Sequence, residues 1–124
     1  MRGGADRGSL RIVGGRYRGH KLPVPTQPGL RPTADRVRET LFNWLQPVIA
    51  GARCLDLFAG SGALGFEAAS RGAGEVVMVE RSEPVARVLE ANIATLGASR
   101  VRVKRADALR WLMRPGEPFD IVFL

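Results

Sequence analysis

One cysteine, one histidine and eight aromatic residues are all that this chain of 124 residues has of the groups that most often build disulfides, metal centres and large aromatic cores. A single cysteine excludes an internal disulfide, and with one histidine beside it no zinc or other metal site is expected. Cys54, between Arg53 and Leu55, reads as a small core hydrophobe in a strand. No apolar run approaches the roughly 20 residues needed to cross a bilayer. No apolar segment follows Met1–Asp6, so no secretory signal and no membrane partner are expected, and the expected location is cytoplasmic. Internal repeats and low-complexity tracts are missing as well.

Hydrophobic residues make up 45% of the chain, enough for the core of one modest domain. The net charge of +7 is unevenly placed. Residues 1–40 hold nine Lys/Arg against three acids, whereas residues 41–124 hold ten against nine. A basic arm on a nearly neutral body is the electrostatic footprint expected for a polyanion partner. Within that arm, Leu10-Arg11-Ile12-Val13, the Gly14-Gly15 turn and Tyr17–Leu22 predict a β-hairpin whose outer face presents Arg11, Arg16, Arg18 and Lys21. His20 lies in this hairpin and is read as an RNA or solvent contact. Pro23, Pro25 and Pro28-Gly29 predict an extended linker. The arm and linker are assigned to 1–28 and the remaining domain to 29–124.

Thr33 is placed to cap a helix with Asp35 in its first turn. Val37, Leu41, Leu45 and Val48 recur at helical spacing, Phe42 and Trp44 stand beside them, and Pro47 and Gly51 close the helix. From Arg53 onward strands alternate with helices. Strands are predicted at Cys54–Phe58, Val76–Val79, Val101–Val103 and Phe119–Leu124, and helices at Leu64–Arg71, Pro84–Leu96 and Ala108–Met113. Continuous apolar runs such as Val76–Val79 and Ile121–Leu124 suit a parallel sheet covered on both faces. The fold class is therefore α/β, doubly wound and Rossmann-like. Trp44 and Trp111 are expected to pack in or at the edge of the core. Arg100, Arg102, Lys104 and Arg105, around the third of these strands, are read as solvated.

The most informative stretch is Leu55-Asp56-Leu57-Phe58-Ala59-Gly60-Ser61-Gly62-Ala63-Leu64-Gly65. Gly60 and Gly62 permit a tight turn and close approach of backbone to a ligand, and Gly65 permits close packing of helix on strand. Asp56 stands four positions before Gly60. Nicotinamide-binding strands usually lead into their glycines with apolar residues, because their ligand presents an anionic pyrophosphate. An acid here suits a ligand with a cationic tail, as S-adenosylmethionine has. Glu80, at the end of the next strand, can accept bonds from ribose hydroxyls, and would do so equally for NAD. Asp107-Ala108 could reach an adenine amino group or simply cap a helix. An S-adenosylmethionine-dependent methyltransferase is the leading reading, and three others stand beside it: a nicotinamide-dependent oxidoreductase, a catalytically inactive RNA-binding fragment, and a DNA amino-methyltransferase.

Gly14-Gly15-Arg16-Tyr17-Arg18-Gly19, Arg31–Leu45 and Leu55–Gly62 together resemble the bacterial 16S ribosomal RNA guanine-N2 methyltransferases, over about Leu10–Leu124. The resemblance implies a class I methyltransferase fold with an incomplete parallel sheet and a basic N-terminal hairpin that contacts RNA through Arg11, Arg16, Arg18 and Lys21. It implies S-adenosylmethionine as cofactor, held by Asp56, Phe58, Ala59, Gly60, Ser61, Gly62, Glu80, Arg81, Asp107 and Ala108. Thr33 and Arg36 would help close the site around the methionine end. The implied partner is small-subunit ribosomal RNA or its assembly intermediate, and the implied state is a monomer.

Methylation of an exocyclic amine needs acceptors that bind the amine hydrogens, and an aromatic face for an extruded base. The family pattern supplies these from Asp or Asn, two prolines and an aromatic directly after the fourth strand. Here Phe119–Leu124 ends the chain, so no catalytic residue is assigned. The expectation is an N-terminal fragment that transfers no methyl group alone, with the last strand an exposed apolar edge. Asp120 is read as a strand-start residue.

Overall fold

The computed structural model describes residues 9–25, 34–116 and 118–124. The expected alternation is present. A hairpin of β1 (Ser9–Arg11) and β2 (Lys21–Pro23) precedes α1 (Asp35–Ile49), β3 (Arg53–Asp56), α2 (Ala63–Ser70), β4 (Glu75–Glu80), α3 (Glu83–Leu96), β5 (Val101–Arg105), α4 (Ala108–Met113) and β6 (Ile121–Phe123).

Strands β3 to β6 form one parallel sheet in the order β5-β4-β3-β6. The chain steps outward from β3 to β5 and then returns to lie on the other side of β3. The strand order therefore reverses between β3 and β6, where doubly wound sheets bind their ligands beyond the carboxyl ends of the strands. This is a Rossmann-like α/β sheet.

Alternation along each strand divides the core in two. Cys54, Val76, Met78 and Phe123 face a layer that includes Phe42 and Ile49 of α1, Phe66 of α2 and Leu89 of α3. Leu55, Leu57, Val77 and Val79 face the other way, where Ala108 and Trp111 of α4 and Phe119 pack on them. Cys54 is buried in the first layer, as its sequence setting indicated, and burial pushes its thiol up to about 11. Among the described residues no helix is long and apolar enough to cross a membrane.

The helix ends follow local chemistry. Ser82 caps α3, its hydroxyl accepting from Val85 N–H (3.4 Å), with Pro84 in the first turn and Gly97 closing the helix in left-handed backbone. Helix α1 departs from expectation at several points. Its N-cap is Ala34, with no side-chain capping bond, one position after the expected Thr33, which lies outside the described residues. Pro47 sits inside the last turn instead of ending it. The buried positions are Arg38, Phe42 and Ile49. Val37 and Val48 are exposed, and Trp44, expected to pack, is 76% exposed. The face is rotated because Arg38 is drawn inward by a carboxylate.

That carboxylate is Glu67 of α2, fully buried. Its Oε1 accepts from Arg38 Nε (3.1 Å) and Val13 N–H (3.0 Å), and its Oε2 from Arg71 Nε (2.9 Å) and Gly14 N–H (2.9 Å). Arg38 also donates to the Arg11 carbonyl and to Asp35 Oδ1 (3.0 Å). The hairpin is thus fastened to α1 and α2 through its backbone. Leu10, Ile12 and Leu22 pack into the first core layer, and Asn92 of α3 donates to the Pro23 carbonyl (3.0 Å).

Strand β6 lies at the edge of the described sheet, and Val122 and Leu124 are exposed. The expectation of full cover on both faces fails at this strand and holds for β4, where Val76–Val79 are all buried.

Candidate nucleoside-cofactor site

Strand β3 stops at Asp56, two residues short of the expected Phe58, and the backbone turns through Leu57–Gly62 into α2. Gly62 occupies the N-cap of α2 at φ 85°, a left-handed conformation that glycine adopts at no steric cost. A Cβ there would also strike Phe66 and Leu89. At Gly65 a Cβ would overlap Met78 Cε, so the helix lies as close to β4 as a glycine allows. The turn is held by Ala59 N–H to the Val79 carbonyl (3.2 Å) and Leu57 N–H to the Phe123 carbonyl (3.1 Å), which tie it to both neighbouring strands.

Beside this turn, beyond the carboxyl ends of β3, β4 and β5, is a cavity of about 500 Å³, within the range of sites for molecules of nucleoside size. It brings together six residues expected from the sequence: Phe58, Gly60, Glu80, Arg81, Asp107 and Ala108. The rest of its wall is apolar, from Leu57, Val79, Ala106 and Leu109. Phe58 is 68% exposed beside the opening. Leu109 is not among the residues expected from the sequence, because an isolated Leu on a short helix carries no signal of its own.

Glu80 is oriented by the backbone. Its Oε1 accepts from Gly60 N–H (3.0 Å) and its Oε2 from Ser82 N–H (2.9 Å). Each oxygen keeps a lone pair for a further donor. Asp107, which the sequence left between two roles, caps α4: its Oδ1 accepts from Leu109 N–H (3.0 Å) and Arg110 N–H (3.2 Å). It does so while lining the cavity.

Asp56, Ala59, Ser61 and Gly62 do not line the cavity wall; all four are buried. Asp56 is only 4% exposed. Burial pushes its carboxyl up to about 6, opposed by the backbone amides of Phe58 and Gly65 and reinforced by the nearby Glu80. Among the described residues no Lys or Arg pairs with it. Arg36 is exposed on the first turn of α1, outside the cavity lining, and Thr33 lies outside the described residues.

The basic residues of the hairpin, Arg11, Arg16, Arg18 and Lys21, are exposed, as is His20. Arg11 makes a weak pair with Asp35 (3.4 Å). The tip is anchored at the carboxyl end of α2: Arg16 N–H donates to the Ser70 carbonyl (2.7 Å), Tyr17 N–H donates to Ser70 Oγ (2.9 Å), and Ser70 Oγ donates to the Gly14 carbonyl. Helix α2 starts at the glycine turn, so the tip stands about one helix length, roughly 12 Å, from that turn.

Residues 10–124 match the family described as Conserved hypothetical protein 95. The chain belongs to that family. This is the ribosomal RNA methyltransferase family that the motifs indicated. The chain is 56% identical over 117 residues to the ribosomal RNA small subunit methyltransferase D of Escherichia coli strain K12, an alignment covering 94% of this chain and 59% of that protein. It therefore spans about three fifths of the length of such relatives. The solved structure of yhhF from Escherichia coli superposes with a TM-score of 0.88 at 52% identity, covering 94% of this chain and 63% of that one. The Trypanosoma brucei PRMT1 enzyme–prozyme heterotetrameric complex with AdoHcy matches with a TM-score of 0.58 at 27% identity, over 71% of this chain and 28% of that chain.

Proposed function

We propose that this chain binds S-adenosylmethionine and serves, as the cofactor-binding part, in methylation of a guanine N2 amino group of small-subunit ribosomal RNA. The observation that carries the reading is Asp56: a carboxylate buried under a glycine turn, with no Lys or Arg paired to it among the described residues. A buried carboxylate without a partner is costly, and a ligand with an ammonium and a sulfonium would supply the missing charge. A dinucleotide, with its anionic pyrophosphate, would add to the repulsion between Asp56 and Glu80.

The remaining residues fit the rest of such a cofactor. Glu80, already oriented by Gly60 and Ser82, accepts from the ribose hydroxyls. The apolar walls from Leu57, Val79, Ala106, Ala108 and Leu109 take the adenine ring, and Asp107 Oδ2 lies on the same loop as an acceptor for its amino group. Phe58 offers a face at the opening. Thr33 and Arg36 close the methionine end. When bound, S-adenosylmethionine supplies a methyl group made electrophilic by the sulfonium. The hairpin cations Arg11, Arg16, Arg18 and Lys21 hold RNA phosphates, and their distance from the glycine turn assigns them to sequence flanking the target nucleotide.

Calorimetry with S-adenosylmethionine, S-adenosylhomocysteine and NAD tests the cofactor. Saturable binding of the first two and none of the third is expected; preference for NAD would overturn the reading. Mass spectrometry of small-subunit RNA from cells lacking the gene tests the product, which should be the loss of one N2-methylguanosine.

A further inference from the structure

A second cleft, of about 220 Å³, lies on the face of the sheet that α4 covers. Four of its lining side chains, Arg53, Arg102, Lys104 and Arg114, are cationic, and two, Trp111 and Phe119, are aromatic. Arg53, at the start of β3, and Phe119, just before β6, set it toward the amino ends of those strands, away from the nucleoside cavity. Among the described residues Glu75 answers two of these cations. One oxygen accepts from Arg53 Nε (2.9 Å) and the other from Arg102. Among the described residues Lys104 and Arg114 have no carboxylate partner.

The cations are ordered before any ligand arrives. The Arg114 guanidinium carbon stands 4.2 Å from the centre of the Trp111 ring, and that of Arg53 stands 5.0 Å from the centre of Phe119. The two rings are 6.1 Å apart and tilted by 57°. Arg53 is held further by the Pro118 carbonyl (2.7 Å), whereas a guanidinium shelved on an aromatic face, as that of Arg114 is, offers its N–H fork while losing less freedom on binding an oxyanion. The indole N–H of Trp111 is buried with no acceptor among the described residues, an unmet donor in the same wall. Arg102 and Lys104 are two residues apart on one face of the edge strand β5, about 7 Å along the strand. Together these cations reach further than a single phosphate.

We propose that this cleft holds the phosphodiester backbone of a single-stranded RNA segment, as a second RNA contact on the side of the sheet opposite the hairpin. The inference rests on the RNA substrate class proposed above. Fixed cations beside aromatic rings are the combination that grips single strands without reading their sequence.

The test uses the full chain carrying Trp44→Phe, which leaves Trp111 as its one indole. Trp111 emission is titrated with a single-stranded uridine oligomer and, separately, with inorganic phosphate. Saturable quenching by the oligomer and none by phosphate at equal concentration is expected. The Lys104→Ala/Arg114→Ala pair should weaken oligomer binding about tenfold and make the log–log salt dependence shallower by about 1.4. S-adenosylmethionine binding in calorimetry should stay unchanged, which also shows that the variant is folded. If the pair unfolds, the emission titration and Lys104→Ala alone decide. Unchanged emission, an equal response to phosphate, or wild-type affinity and slope in the folded variant would overturn the proposal. Loss of these RNA effects with cofactor binding intact strikes the cleft alone, whereas absent cofactor binding in the parent chain strikes the proposed function.

Discussion

Glu67 and Asp56 are both buried carboxylates, eleven positions apart in one strand–turn–helix unit, and their surroundings are opposite. Glu67 has two arginines and two backbone amides on its oxygens, all contributed by the chain. Asp56 has amides and, among the described residues, no cation, and burial pushes its carboxyl up to about 6. The first arrangement is complete as it stands and fastens the hairpin to the helical layer. The second lacks a cation among the described residues, and the proposed ligand would bring one. Burial of charge alone therefore does not mark a binding site. The mark is a buried charge whose partner the chain does not supply.

Breaking the completed cluster should have the largest effect. Glu67→Ala would strip the buried Arg38 of the carboxylate on its Nε and leave two hairpin amides unpaired, at a cost of about 3–5 kcal/mol in urea denaturation. Glu67→Gln keeps the acceptor oxygen on one side and should lose less. If Glu67→Ala cost less than about 1 kcal/mol, the cluster would not be what fastens the hairpin.

Asp56 should show itself in pH dependence. Its folded value of about 6 lies above its ordinary 3.8. Between these values the folded chain keeps a proton that the unfolded chain has lost. Stability should accordingly fall as pH rises through that window, by about 3 kcal/mol in all, and stay lower above it. Asp56→Asn should flatten this slope in denaturation curves taken from pH 4 to 8. In the parent chain, S-adenosylmethionine affinity should rise with pH through about 6 as the carboxylate ionises, and the variant should lose that rise.

Glu80→Gln retains an acceptor for one backbone amide and removes the charge. Calorimetry should show S-adenosylhomocysteine binding weakened by about tenfold, with denaturation midpoints little changed. The smallest effect belongs to the hairpin surface. Arg18→Ala should alter stability by less than about 0.5 kcal/mol, while the salt slope of RNA binding becomes shallower by about 0.7. An unchanged slope would remove Arg18 from the RNA contact.

Much of the fold could be read from local pattern. Val76–Val79 and Cys54–Leu57 announce buried strands, Ser82 with Pro84 announces a helix start, and Gly60, Gly62 and Gly65 announce a turn pressed against a sheet. The cavity-lining residues Gly60, Glu80 and Asp107 follow, because each falls at or just beyond the end of a strand, where a parallel sheet gathers its ligand contacts. Arg38 and Glu67 were not legible in this way. Arg38 falls within the strongly basic first forty residues and reads as a surface charge, and Glu67 reads as an ordinary polar residue on a helix. Their burial depends on one meeting the other across 29 positions. Trp44 was misplaced for the same reason, since drawing Arg38 inward turns the indole out to solvent.

The amino-acid sequence by itself determined the parallel α/β order, the glycine turn and the acidic residues flanking it, because strand burial, helix caps and left-handed turns are set by residues within a few positions of one another. Only the tertiary structure decided which charges are neutralised within the chain, where the hairpin tip stands relative to the cavity, and that Arg114 and Trp111 share a cleft with β5. Those outcomes depend on the packing of distant segments, where the cost of burying an unpaired charge outweighs any local preference.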